Sequence, residues 1–205
     1  MTLESSKTLG GVGAILVVVG FLGFFGTGYA GIISLIGIIL SLIALKGMAD
    51  SYKEGGIFNN ALYGFITLIV GGVVFIAVLV AMVFMTVLTG LDWTNPTAIQ
   101  SYFMDFNNLW NILGTIIIAF VALFIFMVIS AVFFRKSLST LAMKSGERIF
   151  DTAGLLWLIG AVLTIILVGF ILIWIAWILI AVGFFSIKTA AAQPPIAQPS
   201  PPPPQ

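Results

Sequence analysis

Charged residues divide the chain into four long uncharged stretches. The stretches cover residues 8–45, 55–91, 106–134 and 152–187. A helix rises about 1.5 Å per residue, so roughly 20 residues cross a hydrocarbon core about 30 Å thick. The third stretch therefore predicts a single span over 109–134. The others are long enough for either two helices that fold back on each other or one oversized helix.

The first stretch predicts a hairpin of two short helices over 9–25 and 29–45. Its turn is placed at Gly26-Thr27-Gly28, since glycine adopts the backbone conformations that a tight reversal needs. The second stretch predicts one long, tilted helix over 61–88, in which Gly71 and Gly72 favour a bend.

The fourth stretch fits two interpretations, one oversized helix or a second hairpin, because Gly169 is the only residue near its centre that favours a turn. The segments 13–16 and 20–22 resemble 160–163 and 169–171, which favours the hairpin. We therefore predict six spans, with five as the alternative.

Composition sets the class of protein. Hydrophobic residues make up 61% of the chain and charged residues 7%, and the mean hydropathy is +1.24, whereas about a quarter of an average soluble domain is charged. The prediction is an all-α, polytopic bundle of transmembrane helices over residues 1–188, with the lipid bilayer as its surroundings. Residues 189–205, rich in Pro, Ala and Gln, predict a disordered tail.

Several functions are excluded or disfavoured by what the sequence lacks. The chain has no Cys and no His, which excludes disulfides, thiolate nucleophiles and the usual zinc or haem ligands. A net charge of +1 gives no excess positive field for binding nucleic acid. The predicted spans contain no charged residue, which disfavours ion-coupled transport. We therefore expect no enzyme activity, no catalytic, cofactor-binding or metal site, and no cofactor.

The basic residues predict the orientation, because Lys and Arg concentrate in cytoplasmic loops. With six spans all eight lie on one side, so we expect a plasma-membrane protein whose N-terminus and tail are both cytoplasmic. Four of them predict a basic loop at the membrane surface, which would bind lipid or a partner or simply fix the topology. These four are Arg135, Lys136, Lys144 and Arg148.

Small residues recur on the second predicted span at spacings of four and three, which places them on one helical face. Helices associate in lipid by close backbone approach across such residues and by hydroxyl hydrogen bonds. We expect this small-residue face to contact another helix, preferably within the chain, with a partner subunit or a second copy as the alternatives. It consists of Ala30, Ser34, Gly37, Ser41 and Ala44.

The outer loop predicts a short interfacial helix that begins at Asn95-Pro96, where Asn caps free N–H groups and Pro suits the first turn. Trp93 and Trp110 are expected at headgroup depth. The outward carboxylates, Asp92 and Asp105, are interpreted as solvated loop charges. The apolar face of the helix is assigned to Ile99, Tyr102, Phe103, Phe106 and Trp110.

Several motifs resemble an archaeal family of multi-pass membrane proteins, the family of domain of unknown function 996. The resemblance is carried by the opening LESSKTLGG at 3–11, IALKGMAD at 43–50, GIFNNALYG at 56–64 and the final IAWIL with FFS at 175–179 and 184–186. It covers residues 3–187 and implies an archaeal plasma membrane, without implying an activity or a site.

Two functions are favoured over an enzyme that acts on lipid, because the chain lacks His and Cys and the predicted spans lack acidic residues. The first is a non-catalytic accessory or scaffolding subunit of a membrane complex, or a protein that organises the bilayer. The second is a passive channel or carrier for a small neutral solute, since hydroxyl and amide side chains such as Ser41, Asn111 and Ser130 lie in the predicted spans.

Overall fold

The computed structural model describes residues 2–23, 30–88 and 90–188, and these residues form helices without any strand. The predicted turn at 26–28 and the tail at 189–205 lie outside the described residues. The helices are α1 (Leu3–Gly23), α2 (Ala30–Tyr52), α3 (Gly55–Leu88), α4 (Pro96–Met104), α5 (Phe106–Ser145), α6 (Ile149–Leu163) and α7 (Val168–Ser186).

Six of these helices are long and apolar enough to cross a membrane: all except α4. Each spanning helix packs against the next one along the chain, and α1 packs against α7. The six helices therefore close a ring in chain order. This arrangement confirms the predicted all-α, polytopic membrane bundle and its six apolar helices.

The two ends of the bundle differ in packing. We call the inner end the one where α1 begins, α7 ends, and the α2–α3 and α5–α6 turns lie. A row of rings packs near it: Phe134 stacks on Trp157 at a centroid distance of 4.8 Å, and Trp157 lies 4.9 Å from Trp177. The largest fully buried apolar side chains also belong to this end: Met48, Ile57, Leu141, Phe150, Phe184 and Ile187.

Helix α5 runs past the charges at which the sequence predicted its end. It contains Arg135 and Lys136 and continues to Ser145, because a charged side chain marks the membrane boundary without interrupting helical hydrogen bonds. The helix stops at Gly146, which has a φ of 77° and donates its N–H to the Ala142 carbonyl at 2.9 Å. The predicted basic loop is therefore mostly helix.

The fourth stretch is a hairpin, α6 and α7, joined by a 3₁₀ turn over Thr164–Ile166. The reversal occurs at Leu167, whose φ is 65°, and not at Gly169. Gly169 has another role: a Cβ built at Gly160 would lie 3.0 Å from the Gly169 carbonyl oxygen. The two glycines let the helices approach closely beside their turn.

The interfacial helix starts where the sequence predicts, because the Asn95 side chain accepts hydrogen bonds from the N–H groups of Thr97 and Ala98. It is shorter than its assigned apolar face. Asp105 ends α4 and caps α5 in turn, so Phe106 and Trp110 belong to α5. The helix predicted over 61–88 in the second stretch also differs at one end, since α3 begins at Gly55 and includes the Asn pair at 59–60.

Candidate functional site

The small-residue face of α2 lies against α1 of the same chain. A Cβ built at Gly37 would lie 2.6 Å from the Gly13 carbonyl oxygen, and one built at Gly13 would lie 2.7 Å from Ser41 Oγ. Nearer the outer end, a Cβ at Gly20 would lie 2.9 Å from the Ala30 carbonyl oxygen. The two backbones are therefore in contact along most of this face.

Among the described residues, no hydroxyl hydrogen bond joins α1 to α2. Ser41 Oγ donates to the Gly37 carbonyl of its own helix at 2.9 Å. Interhelical hydroxyl bonds occur between α5 and α3 instead, where Ser130 donates to Gly64 at 2.7 Å and Ser137 donates to Ile57 at 2.5 Å. Sequence reasoning missed Ser137 because it placed this residue in a loop. The signal was its seven-residue spacing from Ser130.

The four basic residues of the predicted loop lie at the inner end, three on α5 and Arg148 in the turn before α6. They do not stand alone. Lys144 Nζ lies 3.1 Å from Glu54 Oε2, and Lys7 on α1 donates to the Ile187 carbonyl at 2.8 Å. The end also carries acidic groups, although basic residues outnumber them. These acidic groups are Glu4, Asp50, Glu54, Glu147 and Asp151.

A large cleft opens at the other end of the bundle, between α3 and α5. The two helices pack tightly below it, where the Phe75 and Phe120 rings lie 5.2 Å apart. Above this pair they separate, and α4 with the preceding turn covers the gap. The resulting outer cleft has a volume of about 1020 Å³.

The two walls of the outer cleft have different chemistry. The α3 wall is mostly apolar, with Val78, Ala81, Met82 and Met85. The α5 wall is mostly polar, and the segment between α3 and α5 adds further polar side chains. The polar lining residues are Thr86, Asp92, Ser101, Tyr102, Asp105, Asn108, Asn111 and Thr115.

Both outward carboxylates line this cleft, although the sequence gave no indication that they converge. Asp105 Oδ1 accepts the N–H groups of Asn107 and Asn108 at 2.8 and 3.2 Å. Asp92 Oδ1 accepts the Thr94 hydroxyl at 2.7 Å and the Thr94 N–H at 2.9 Å. The hydroxyl bond, followed by the N–H bond, lowers the pKa of Asp92, so this carboxylate is ionised at neutral pH.

The outer cleft escaped sequence reasoning because its polar wall belongs to a predicted span. Asp105, Asn108, Asn111 and Thr115 follow one another at spacings of three and four, which was a readable signal of a shared face. In 2–23, 30–88 and 90–188, no three Asp or Glu side chains meet as potential metal ligands.

Comparison with known proteins shows the relationships of the chain. The family model described as "Protein of unknown function (DUF996)" matches residues 33–178. The chain belongs to this family. "Uncharacterized protein MJ1644" of Methanocaldococcus jannaschii, an archaeal relative, is 30% identical over 188 residues, which are 91% of this chain and 94% of that protein. No solved structure matches the chain.

The match to DUF996 confirms the resemblance seen in the sequence motifs. The matched region begins on α2 and ends on α7, so it contains every residue that lines the outer cleft. Neither the family description nor the name of the archaeal relative assigns a role to a residue. The chemistry of the site therefore rests on its geometry.

Proposed function

We propose that this chain is a non-catalytic membrane protein that acts as an accessory or scaffolding subunit, and that it binds membrane helices of a partner through α3 and α5. The observation that carries the proposal is the poor coverage of these two helices by the rest of the chain. From Gly72 to Thr86 on α3, no described side chain is buried. From Phe106 to Ile129 on α5, only Ala119 is buried.

The uncovered surface of α3 is apolar and continuous. Val73, Ile76, Val80 and Phe84 recur at spacings of three and four, and each is 60–61% exposed. Such a row fits the groove of another apolar helix, and in lipid the packing itself drives association. The surface is therefore suited to a membrane-embedded partner.

Length adds a second argument. The 28 residues from Ala61 to Leu88 make about 42 Å of helix, whereas the hydrocarbon core is about 30 Å thick. If α3 stands upright, about 12 Å of apolar helix lies beyond the hydrocarbon. A partner that covers this section removes its exposure to water. Tilting of the helix would remove it as well.

We further propose that the inner end faces the cytoplasm, in the plasma membrane. All eight basic residues belong to this end, and the outer segment 90–105 has only Asp92 and Asp105 as charged residues. Such an asymmetry is the usual determinant of orientation. The N-terminus and Lys188 are then both cytoplasmic.

Site-specific photocrosslinking tests the subunit role. A photoreactive amino acid at Val80 or Phe84 should crosslink to a discrete protein in the native membrane. The same group at Ile32, on α2 and 57% exposed, is the control. Crosslinking to lipid alone from all three positions would show that α3 is merely lipid-facing and would overturn the proposal.

The packing between α2, α5, α6 and α7 argues against the alternative of a passive path for a neutral solute. The space between α2, α5, α6 and α7 has a volume of only about 20 Å³, and aromatic rings including Trp157 and Trp177 line it. This volume holds about one water molecule. Hydroxyls such as those of Thr67 and Thr164 donate to carbonyls of their own turn.

A further inference from the structure

We infer that the outer cleft binds the headgroup of an amphiphile from the outer leaflet, that this headgroup is uncharged and rich in hydroxyl groups, and that the hydrocarbon part lies along the α3 wall. The inference does not depend on the proposed subunit role, because a lipid site can exist with or without a protein partner. It rests on the position, polarity and charge of the cleft.

The cleft lies at headgroup depth. Along α5, Thr115 is about 28 Å from Phe134 at the inner membrane boundary, and Asn108 is about 39 Å from it. A hydrocarbon core of about 30 Å therefore ends near the floor of the cleft. A volume of about 1020 Å³ at this level accommodates a headgroup together with the first part of its chains.

Some polar side chains that line the cleft form no hydrogen bond within the protein. Among the described residues, the side-chain amides of Asn108 and Asn111 and the hydroxyl of Tyr102 make no hydrogen bond to another protein group. Asn108 and Asn111 are three residues apart and so lie on one face of α5. An amide donates and accepts, as does a hydroxyl, so paired amides suit a ligand with several hydroxyl groups.

Charge argues against an anionic headgroup. No described Lys or Arg lines the cleft, whereas the carboxylates Asp92 and Asp105 do. A phosphate would be repelled and would find no cationic partner.

A cationic headgroup is also disfavoured. Asp92 and Asp105 keep their negative charges, but both side chains are exposed, so water and salt screen their attraction for a cation. A quaternary ammonium group has no N–H or O–H group and would leave the amides of Asn108 and Asn111 without a partner. What remains for a ligand is mainly neutral hydrogen bonding.

The α3 wall points to an amphiphile and not to a free sugar. Val78, Met82 and Met85 give one side of the cleft a flexible apolar surface, since methionine adapts its shape to irregular partners. A water-soluble polyol would leave these apolar side chains in contact with water. A lipid chain would cover it and would continue into the bilayer below.

Lipid titration with native mass spectrometry tests the inference on the complete chain in a polyoxyethylene detergent. The probes are glucosyl dioleoylglycerol, dioleoyl phosphatidylglycerol and a dioleoyl trimethylammonium lipid, which share acyl chains and differ in headgroup. We expect one glucosyl lipid per chain, bound about tenfold more tightly than the other two.

Matched variants place the site. Asn108→Leu and Asn111→Leu should each weaken glucosyl lipid binding about tenfold through the loss of hydrogen bonds. Asn107→Leu, at the same depth but outside the cleft lining, should not. Ala81→Trp should fill the cleft from the apolar wall and block binding, whereas Val80→Trp, on the neighbouring face, should not. If the Asn variants fail to fold, Ala81→Trp and Val80→Trp still test whether the lipid binds in the outer cleft.

Three results would overturn the inference. Equal affinity for the three headgroups, or tighter binding of either charged lipid, would contradict the assigned headgroup chemistry. Binding that survives Ala81→Trp would place the lipid elsewhere. Competition by methyl glucoside at the same concentration as the glucosyl lipid would show a site for a free sugar instead of an amphiphile.

Discussion

At the scale of single residues, glycines on one helix of this protein have different surroundings. Gly37 of α2 faces the backbone of α1, and a Cβ there would lie 2.6 Å from a carbonyl oxygen. Gly31, also on α2, has no described atom within 4 Å of the corresponding Cβ position. Substitutions at the two positions therefore distinguish the role of glycine in close helix packing from its low helix propensity.

Gly37→Ala should lower the free energy of unfolding by about 1–3 kcal/mol, because α1 and α2 must move apart to admit the methyl group. Gly31→Ala should raise it by up to about 1 kcal/mol, since alanine favours the helix. Thermal unfolding in detergent at two protein concentrations measures both. Wild-type stability for Gly37→Ala would mean that the contact between α1 and α2 is looser than described. A strong concentration dependence would assign the face to a subunit interface.

A buried hydroxyl gives a second test at this scale. Ser137→Ala removes the bond from α5 to the Ile57 carbonyl and should cost about 0.5–1.5 kcal/mol of unfolding free energy. Thr140→Ala, whose hydroxyl bonds to the Lys136 carbonyl of its own helix, should change stability little. Equal effects in denaturation experiments would rule out a special contribution from the interhelical bond.

At the scale of elements, the α6–α7 hairpin turns on a residue that does not favour the conformation. Leu167 has a φ of 65° and is 72% exposed, so its side chain gains little from burial while its backbone is strained. Leu167→Gly should raise the unfolding free energy by about 1 kcal/mol. Ile166→Gly, one residue earlier in the 3₁₀ turn, should lower it by roughly 0.5–1 kcal/mol. Opposite signs in thermal unfolding are expected, and a loss of stability in both variants would contradict the strain at Leu167.

Sequence reasoning predicted the number of spanning helices because their apolar stretches are long. It placed the ends poorly, since charges such as Arg135 mark the membrane surface while the helix continues to its Gly146 cap. It also extended the interfacial helix past Asp105 to Trp110, because the apolar pattern continues there although α4 ends at Met104 and α5 begins at Phe106. The polar face of α5 was readable from the spacing of Asn108, Asn111 and Thr115, but the outer cleft itself depends on how far α3 and α5 separate, which the sequence does not indicate.

At the scale of the whole molecule, a packed inner end supports two long helices that separate towards the outer end. A matched pair of substitutions at the two ends of α5 tests the orientation of the molecule in the membrane. Met104, next to its outer end, and Met143, near its inner end, are both 74% exposed, and the chain contains no cysteine.

Met104→Cys should react with an impermeant maleimide added to intact cells, and Met143→Cys should react only after the membrane is permeabilised. This expectation follows from the proposed orientation, in which the basic residues keep the inner end in the cytoplasm. Equal labelling after permeabilisation controls for access to each thiol. The reverse pattern in intact cells would invert the proposed orientation.

The apolar α6–α7 turn bears on how the chain enters the bilayer. Residues 164–167 contain no charge, and their only hydroxyl, that of Thr164, donates to the Ala161 carbonyl at 2.7 Å. With the inner end cytoplasmic, this hairpin has no hydrophilic segment to translocate, so it can insert as a unit from the cytoplasmic side. The segment between α3 and α5 carries Asp92 and Asp105 and must be moved across. We therefore expect the chain to need a translocation pore during insertion mainly because the segment between α3 and α5 must cross the membrane.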